Sequence, residues 1–143
     1  MDAKTRALSM VPLFAACGSG ELDAIARLAD EIDIPAGEEL THEGRSGREF
    51  FVILDGRVRV ERDGKVIRTL GPGEFFGEIA LIDGGPRTAT VTTETPVRAL
   101  VLAHHDFRTL INDNPAVART VLLALAARVR DHEAGPTLGG LAS

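Results

Sequence analysis

The sequence is poor in cysteine, in tryptophan and tyrosine, and in long apolar runs, and each shortage excludes a class of protein. Cys17 is the only cysteine among 143 residues, which excludes an internal disulfide, a cysteine zinc cage and a cysteine-held iron–sulfur cluster. We expect Cys17 to fill a small space in the core; a redox sensor is the alternative, but no partner thiol supports it. No stretch approaches the roughly 18 consecutive apolar residues that a membrane-spanning helix needs.

Positive charge is also scarce. The chain has 16 lysines and arginines against 21 aspartates and glutamates, so its formal net charge is -5. A negative chain is not attracted to DNA or RNA in general, and we therefore expect no direct nucleic-acid binding. The opening stretch MDAKTRALSMVPLF mixes charges and lacks the apolar core of a secretory signal. These features predict a cytoplasmic protein that does not contact a membrane.

Helical spacing opens the chain and then gives way to strand spacing. Leu22, Ile25 and Leu28 fall on one helix face behind Ser19, which we expect to be the N-cap. The segments EIDIPAGEEL, EFFVILDG, TATVTTE and VRALVLA predict strands. Among them, RVRVERDGKVIRTL is the clearest hairpin, because Asp63-Gly64 suits a two-residue turn with positive φ angles.

Helical spacing returns near the end of the chain. The segment HHDFRTLIND predicts a short helix in which Phe107, Leu110 and Ile111 cluster. A longer helix is expected from Asn114-Pro115 to about Glu133, because proline is well tolerated in the first helical turn. Its apolar stripe is expected to consist of Ala118, Leu122, Leu125 and Val129.

This order of elements predicts a mainly β fold with flanking helices. We expect an antiparallel β-roll of the jelly-roll type, with one or more N-terminal helices and two C-terminal helices. The whole chain, 1–143, is predicted to be a single domain without a second one. Its parts are a helical start at about 5–30, a β-roll at about 31–103, closing helices at about 105–133 and a flexible tail at 134–143.

The segment FFGEIALIDGGPRTATV, residues 75–91, has the composition of an anion site. Gly77-Glu78 can open a single helical turn whose first N–H groups lack helical partners and therefore suit an anion. Gly84-Gly85 lets the backbone approach a ligand, and Arg87 offers two parallel donors to phosphate oxygens. A carboxylate repels phosphate, so Glu78 is better suited to accept hydrogen bonds from neutral hydroxyls. A sugar phosphate has both kinds of group.

This segment resembles the phosphate-binding cassette of the cyclic-nucleotide-binding domain family, which includes the regulatory subunits of cyclic-AMP-dependent kinase, nucleotide-gated channels and the bacterial catabolite activator. The resemblance lies in F-G-E-I-A-L, a short gap and P-R-T-A-T, and it extends to the order of helices and strands over nearly the whole chain. It implies a non-enzymatic receptor, without a cofactor, that binds a cyclic nucleotide and couples binding to movement of its terminal helices. An unidentified downstream protein effector would read that movement.

The resemblance also implies a role for each residue of the site. Glu78 would accept the ribose 2′-hydroxyl with help from the backbone at Gly77, and Arg87 would bind the exocyclic phosphate oxygens. The residues expected to complete the anion cradle are Ile79, Ala80 and Ala89 through their N–H groups and Thr88 through its hydroxyl. On the hairpin, Val60 and Leu70 would form walls around the purine. Arg128, on the last helix, would cap the base, although a solvated surface arginine is the alternative.

Two departures from the family pattern affect the ligand and the output. No tryptophan or tyrosine is present, so the aromatic lid of the kinase subunits is missing. A threonine at the position of Thr88 often accompanies cyclic-GMP binding in kinases, but some cyclic-AMP receptors carry it too. We expect cyclic AMP, with cyclic GMP as the alternative. Homodimerisation through the apolar last helix is a further expectation, as an alternative to core packing.

Other function classes fit the sequence less well. A DNA-binding regulator related to the catabolite activator would have to be represented here by a fragment or depend on a partner, since no helix-turn-helix follows Glu133. A phosphodiester hydrolase needs metal ligands or a positioned base. A cupin-type metal enzyme is disfavoured by the spacing of the four histidines. The remaining alternatives are a module with an empty pocket and a plain ion pair between Glu78 and Arg87.

Overall fold

The computed structural model describes residues 3–11, 14–77 and 86–119, together with Leu122, Leu123, Ala126 and Arg130. Within these residues, strands occupy the centre of the chain and helices lie at both ends. The helices are α1 (Ala3–Ser9), α2 (Ser19–Leu28) and α3 (His104–Asp113), and residues 115–119 are again helical. The strands are β1 (Asp30–Ile34), β2 (Glu39–Thr41), β3 (Glu49–Asp55), β4 (Val58–Arg62), β5 (Lys65–Leu70), β6 (Phe75–Phe76), β7 (Thr90–Thr93) and β8 (Val97–Ala103).

The strands form two antiparallel sheets, with strand orders β1-β8-β3-β6 and β2-β7-β4-β5. Side chains alternate across a strand, so β3 supplies two separate cores. Phe50 and Val52 belong to an outer cluster with residues of α2 and α3, whereas Phe51 and Ile53 belong to an inner cluster between the sheets. This is the β-roll with flanking helices that the sequence predicts.

The hairpin of β4 and β5 has the predicted turn. Asp63 has φ 53° and Gly64 has φ 77°, and the two residues connect the paired ends Arg62 and Lys65. Consecutive positive φ angles match the right-handed twist of the flanking strands. The hairpin therefore places the inward-facing side chains of β4 beside β7, the strand that follows Arg87 in sequence.

The predicted N-cap of α2 is wrong by one residue. Gly18, with φ -76° and ψ 171°, is the N-cap, and Ser19 is already helical. The backbone N–H of Gly18 donates to Glu21 Oε1 at 3.2 Å. Glu21 thus provides the reciprocal half of a capping box, so the helix can begin without a capping side chain on Gly18.

The predicted apolar stripe of the last helix is also wrong where the structure describes it. Val117 is fully buried, whereas Ala118 is half-buried and Leu122 is 68% exposed. Valine buries more apolar surface than alanine, which favours turning Val117 inward. Leu122 follows Val117 by five residues, a rotation of about 140° along a helix, and so faces outward. Leu125 and Val129 lie outside the described residues.

Cys17 packs against the outer cluster and is half-buried. Burial, assisted by the negative charge of Glu21, raises the pKa of the Cys17 thiol, so the thiol stays protonated and unreactive at neutral pH. This agrees with the expected role of a small core residue. No helix among the described residues has the length and apolar character needed to cross a membrane.

Candidate anion-binding site

Arg87 lies inside the protein, although it belongs to a connecting segment. Its side chain is 2% exposed. Its backbone N–H donates to the carbonyl oxygen of Arg45 and its own carbonyl oxygen accepts from the N–H of Gly44, both at 2.9 Å. These two bonds attach the segment that precedes β7 to the loop between β2 and β3, and so fix the position from which the Arg87 side chain extends.

The guanidinium of Arg87 lies in a slot whose walls are two glycines, Gly47 and Gly77. A Cβ on Gly47 would lie 2.2 Å from Arg87 Nε, and a Cβ on Gly77 would lie 3.0 Å from Arg87 Nη1. Gly77 also has φ +94°, which a residue with a side chain rarely adopts. At the base of the slot, Arg87 Nη2 donates to the carbonyl oxygen of Glu49 at 2.9 Å. We call this arrangement the guanidinium slot.

Arg87 also forms an ion pair with Glu49. Arg87 Nη2 lies 3.7 Å from Glu49 Oε1, but the Glu49 side chain is 53% exposed. An ion pair with one partner in water contributes little. A phosphate group would offer the guanidinium two acceptor oxygens at once.

Thr88 and Ala89 continue the site towards β7. Thr88 Oγ1 is buried and has no hydrogen-bond partner among the described residues. The carbonyl oxygen of Thr88 accepts from Arg62 Nε at 3.0 Å, and that of Ala89 accepts from Thr41 Oγ1 at 2.9 Å. Because a buried hydroxyl without a partner is costly, Thr88 is well suited to donate to a ligand.

Val60 and Leu70 lie close to this segment. Both are fully buried and belong to the inner cluster together with Ala89. Val60 is the register partner of Val91 on β7, and Leu70 is the register partner of Val58. Val60 therefore lies on the strand next to β7, and Leu70 lies one strand further from it.

Four predicted site residues lie outside the described residues: Glu78, Ile79, Ala80 and Arg128. Their predicted roles stay predictions. The structure also adds a residue that the sequence reasoning missed, Gly47. In the sequence, Ser46-Gly47 looks like an ordinary turn, and only the folded structure shows that Gly47 approaches a side chain forty positions further along.

Comparison with known proteins agrees with the fold and with the cassette sequence. A family model described as the cyclic nucleotide-binding domain matches residues 31–114, more than half of the chain. A cyclic nucleotide-gated potassium channel from Rhizobium etli is 40% identical over 114 residues, 80% of this chain and 32% of the channel. A CRP-like cAMP-activated global transcriptional regulator from Mycobacterium tuberculosis is 31% identical over 128 residues, 86% of this chain and 57% of the regulator.

A solved structure has a similar fold, and its sequence identity to this chain is comparable with that of the curated relatives. The crystal structure of the N-terminal domain of a transcriptional regulator from Streptomyces coelicolor A3(2) has a TM-score of 0.77 and 36% sequence identity, and the match covers 93% of this chain and 99% of that domain. The chain thus spans a third to somewhat more than half of these curated relatives, but nearly all of this single solved domain.

Proposed function

The chain belongs to the cyclic nucleotide-binding domain family, and on this premise we propose that it is a non-enzymatic receptor module that binds cyclic AMP in preference to cyclic GMP. The observation that carries the proposal is the guanidinium slot. Arg87 is enclosed and its backbone is bonded to Gly44 and Arg45, and the next residue in the chain, Thr88, has a buried hydroxyl without a hydrogen-bond partner among the described residues. This suits a ligand with one negative charge and several acceptor oxygens, as a cyclic phosphate has.

In the proposed complex, Arg87 binds the exocyclic phosphate oxygens and Thr88 donates its hydroxyl to one of them. Glu78 accepts the ribose 2′-hydroxyl beside Gly77. The backbone N–H groups that complete the cradle are those of Ile79, Ala80 and Ala89. Val60 and Leu70 contact the purine, and Arg128 covers it.

The preference for cyclic AMP is supported by the Mycobacterium tuberculosis relative, which is described as cAMP-activated. Cyclic GMP is the competing candidate ligand, because a hydroxyl at the position of Thr88 is compatible with either purine. Parallel titrations with the two nucleotides decide between them. A lower Kd for cyclic GMP than for cyclic AMP would reverse the preference without affecting the proposed phosphate contacts.

Ligand binding is proposed to move the terminal helices. Gly77 follows β6, and β6 pairs with β3, which carries Phe50. The Phe50 ring lies 5.6 Å from that of Phe75 on β6, 6.3 Å from that of Phe107 on α3 and 6.4 Å from that of Phe14. Contacts between phenylalanine rings therefore connect β6, the strand before Gly77, to α3 and to Phe14, which lies between α1 and α2. The ligand can bias the helices only by its difference in affinity for the two arrangements.

Titration calorimetry of the parent and Arg87→Ala tests the proposal. Charge-assisted hydrogen bonds contribute about 1.5–3 kcal/mol each, so the loss of two is expected to cost about 2.8 kcal/mol or more. This corresponds to binding about one hundred-fold weaker or worse. Arg59→Ala is the matched control, since Arg59 lies on β4, pairs with Glu61 and is partly exposed. Equal affinities for parent and Arg87→Ala would contradict the mechanism.

A second candidate function is supported by two relatives. The Mycobacterium tuberculosis protein is described as a transcriptional regulator, and the Streptomyces coelicolor structure as the N-terminal domain of one. This chain spans only 57% of the Mycobacterium tuberculosis protein. The alternative is thus a fragment, or a partner-dependent version, of a catabolite-activator-like regulator. A gel shift with promoter DNA, with and without cyclic AMP, tests it for the chain alone and for the chain with a partner.

The receiver of the signal is proposed to be a separate protein or a second copy of this chain. Leu122 and Leu123 are 68% and 59% exposed, which gives the last helix an apolar surface that homodimerisation would cover. Analytical ultracentrifugation of the parent and of Leu122→Glu/Leu123→Glu measures this directly. A monomeric parent at high concentration would leave a separate effector as the receiver.

A further inference from the structure

Gly47 differs from most of the other glycines that the structure describes. Gly37, Gly44, Gly64 and Gly73 have positive φ angles, and a Cβ on any of them would meet no other heavy atom within 4 Å. Gly47 has no positive φ angle, so its backbone suits any residue. What requires glycine at position 47 is therefore space, not conformation.

The space beside Gly47 is taken by a single group. A Cβ there would lie 2.2 Å from Arg87 Nε and 2.7 Å from both Cζ and Nη2, so all three nearest atoms belong to one guanidinium. Real Cβ atoms essentially never approach this closely, and one of the two groups would have to move.

Arg87 has little freedom to move away. Its backbone is bonded to Gly44 and Arg45, and the far side of the guanidinium faces Gly77, where a Cβ would lie 3.0 Å from Nη1. A displaced guanidinium would also lose or lengthen the 2.9 Å bond from Nη2 to the carbonyl oxygen of Glu49. A methyl group on residue 47 would thus change the orientation of the fork that faces the ligand.

We propose that Gly47 is a positioning residue for phosphate recognition: the absence of a side chain at residue 47 holds the Arg87 guanidinium in the orientation that binds a cyclic phosphate. The inference rests on the proposed function and extends it to a loop outside segment 75–91. Gly47 itself need not contact the ligand. It acts through Arg87, and the loss of its effect when Arg87 is removed would distinguish this role from a general structural one.

The experiment compares the parent, Gly47→Ala, Arg87→Ala and the double variant for cyclic AMP affinity and for thermal stability without ligand. We expect Gly47→Ala to weaken binding at least tenfold, and to weaken it no further in the Arg87→Ala background, because the displaced group is then absent. Gly20→Ala is the matched control, since a Cβ on Gly20 meets nothing within 4 Å. We expect it to bind like the parent.

A second readout does not depend on ligand. The Nε–Hε resonance of Arg87 in the NMR spectrum of the unliganded protein should move in Gly47→Ala and stay in place in Gly20→Ala. If Gly47→Ala lowers the melting temperature, the decrease should be smaller when the same substitution is made in the Arg87→Ala background, because the methyl group then fits into the vacated slot.

The outcomes separate the two proposals. If the parent binds and Arg87→Ala does not, but Gly47→Ala binds within twofold of the parent, the role of Gly47 is wrong and the proposed function stands. An unmoved Arg87 resonance, or a decrease in melting temperature from Gly47→Ala that is as large in the Arg87→Ala background as in the parent, would also overturn it. If the parent protein binds neither cyclic nucleotide, both the proposed function and this inference are wrong.

Discussion

Arg87 and Thr88 follow each other in the chain and each buries a polar group, but the two groups have different consequences for the folded protein. The guanidinium is held by a backbone carbonyl oxygen at 2.9 Å, whereas Thr88 Oγ1 has no partner among the described residues. A buried polar atom without a hydrogen bond costs about 1–3 kcal/mol. Such a cost at a folded site is often tolerated where a ligand later supplies the partner.

Thr88→Val is expected to act oppositely on stability and on binding. It replaces an unpartnered hydroxyl with a methyl group of similar size, so the unliganded protein should be equally stable or up to about 1 kcal/mol more stable. The same change should weaken cyclic AMP binding about tenfold or more, because one hydrogen bond to the charged phosphate is worth about 1.5–3 kcal/mol. Urea unfolding and calorimetry measure the two effects.

Thr90→Val is a useful control, since Thr90 Oγ1 accepts from the N–H of Glu43 at 3.0 Å. Its removal should lower stability, because a formed hydrogen bond is lost. Stability falling in both variants, with binding unchanged in Thr88→Val, would show that the Thr88 hydroxyl has a structural partner and no ligand role.

At the scale of the elements, the last helix offers a direct test of which face packs on the core. Val117→Ala removes a fully buried side chain from the outer cluster and is expected to lower the free energy of unfolding by about 1–3 kcal/mol. Leu122→Ala removes more atoms but from an exposed position, so its effect should stay within about 0.5 kcal/mol. Denaturant unfolding of the two variants, side by side, gives the comparison.

If Leu122→Ala is instead the more destabilising variant, the apolar stripe predicted from the sequence is the face that is buried. It would also indicate that Leu122 is covered in solution. Repeating the measurement at several protein concentrations distinguishes the two causes, because coverage by a second copy makes the apparent stability concentration-dependent.

The sequence predicts the strands well because alternation is a local property. Phe50 and Phe51 are neighbours, and alternation along the predicted strand β3 places one towards the helices and the other inside the roll. The Asp63-Gly64 turn is predictable for the same reason, since its φ angles depend on two adjacent residues. Fold class follows from such local features taken in order.

Features that depend on distant partners were missed. The face that the last helix buries is decided by where the helix meets the outer cluster, so a local stripe gave Ala118 and Leu122 in place of Val117. The N-cap of α2 was also missed, in this case for a local reason: the Gly18 N–H donates to the side chain of Glu21, three residues further along. Gly47 is part of the site only because the loop between β2 and β3 folds against Arg87. A glycine in a loop gives no local sign of such a contact.

At the scale of the whole molecule, the two cores lie on opposite sides of strand β3. The inner cluster contains Val60, Leu70 and Ala89, which adjoin the candidate site, and the outer cluster joins the first sheet to the helices. Strand β3 belongs to both, with Phe51 stacked on Phe76 at 4.7 Å inside the roll and Phe50 among the rings on the outside. Strand β3 is therefore one route from the site to α3, and a second is the hydrogen bond from the His104 N–H to the carbonyl oxygen of Arg48 at 2.7 Å.

Phe50→Leu is therefore expected to reduce the response of the helices more than the affinity for the ligand. Leucine keeps the core apolar but loses the ring contacts with Phe14, Phe75 and Phe107, while Arg87 and its slot stay unchanged. At saturating cyclic AMP, we expect the ligand-induced hydrogen-exchange protection of α3 to fall by about half or more, with Kd within about threefold of the parent. Phe51→Leu is the control on the same strand; it faces inward and should keep the α3 response at saturation. An undiminished α3 response in Phe50→Leu would mean that binding reaches the helices by another route, and the coupling through the phenylalanine rings would have to be abandoned.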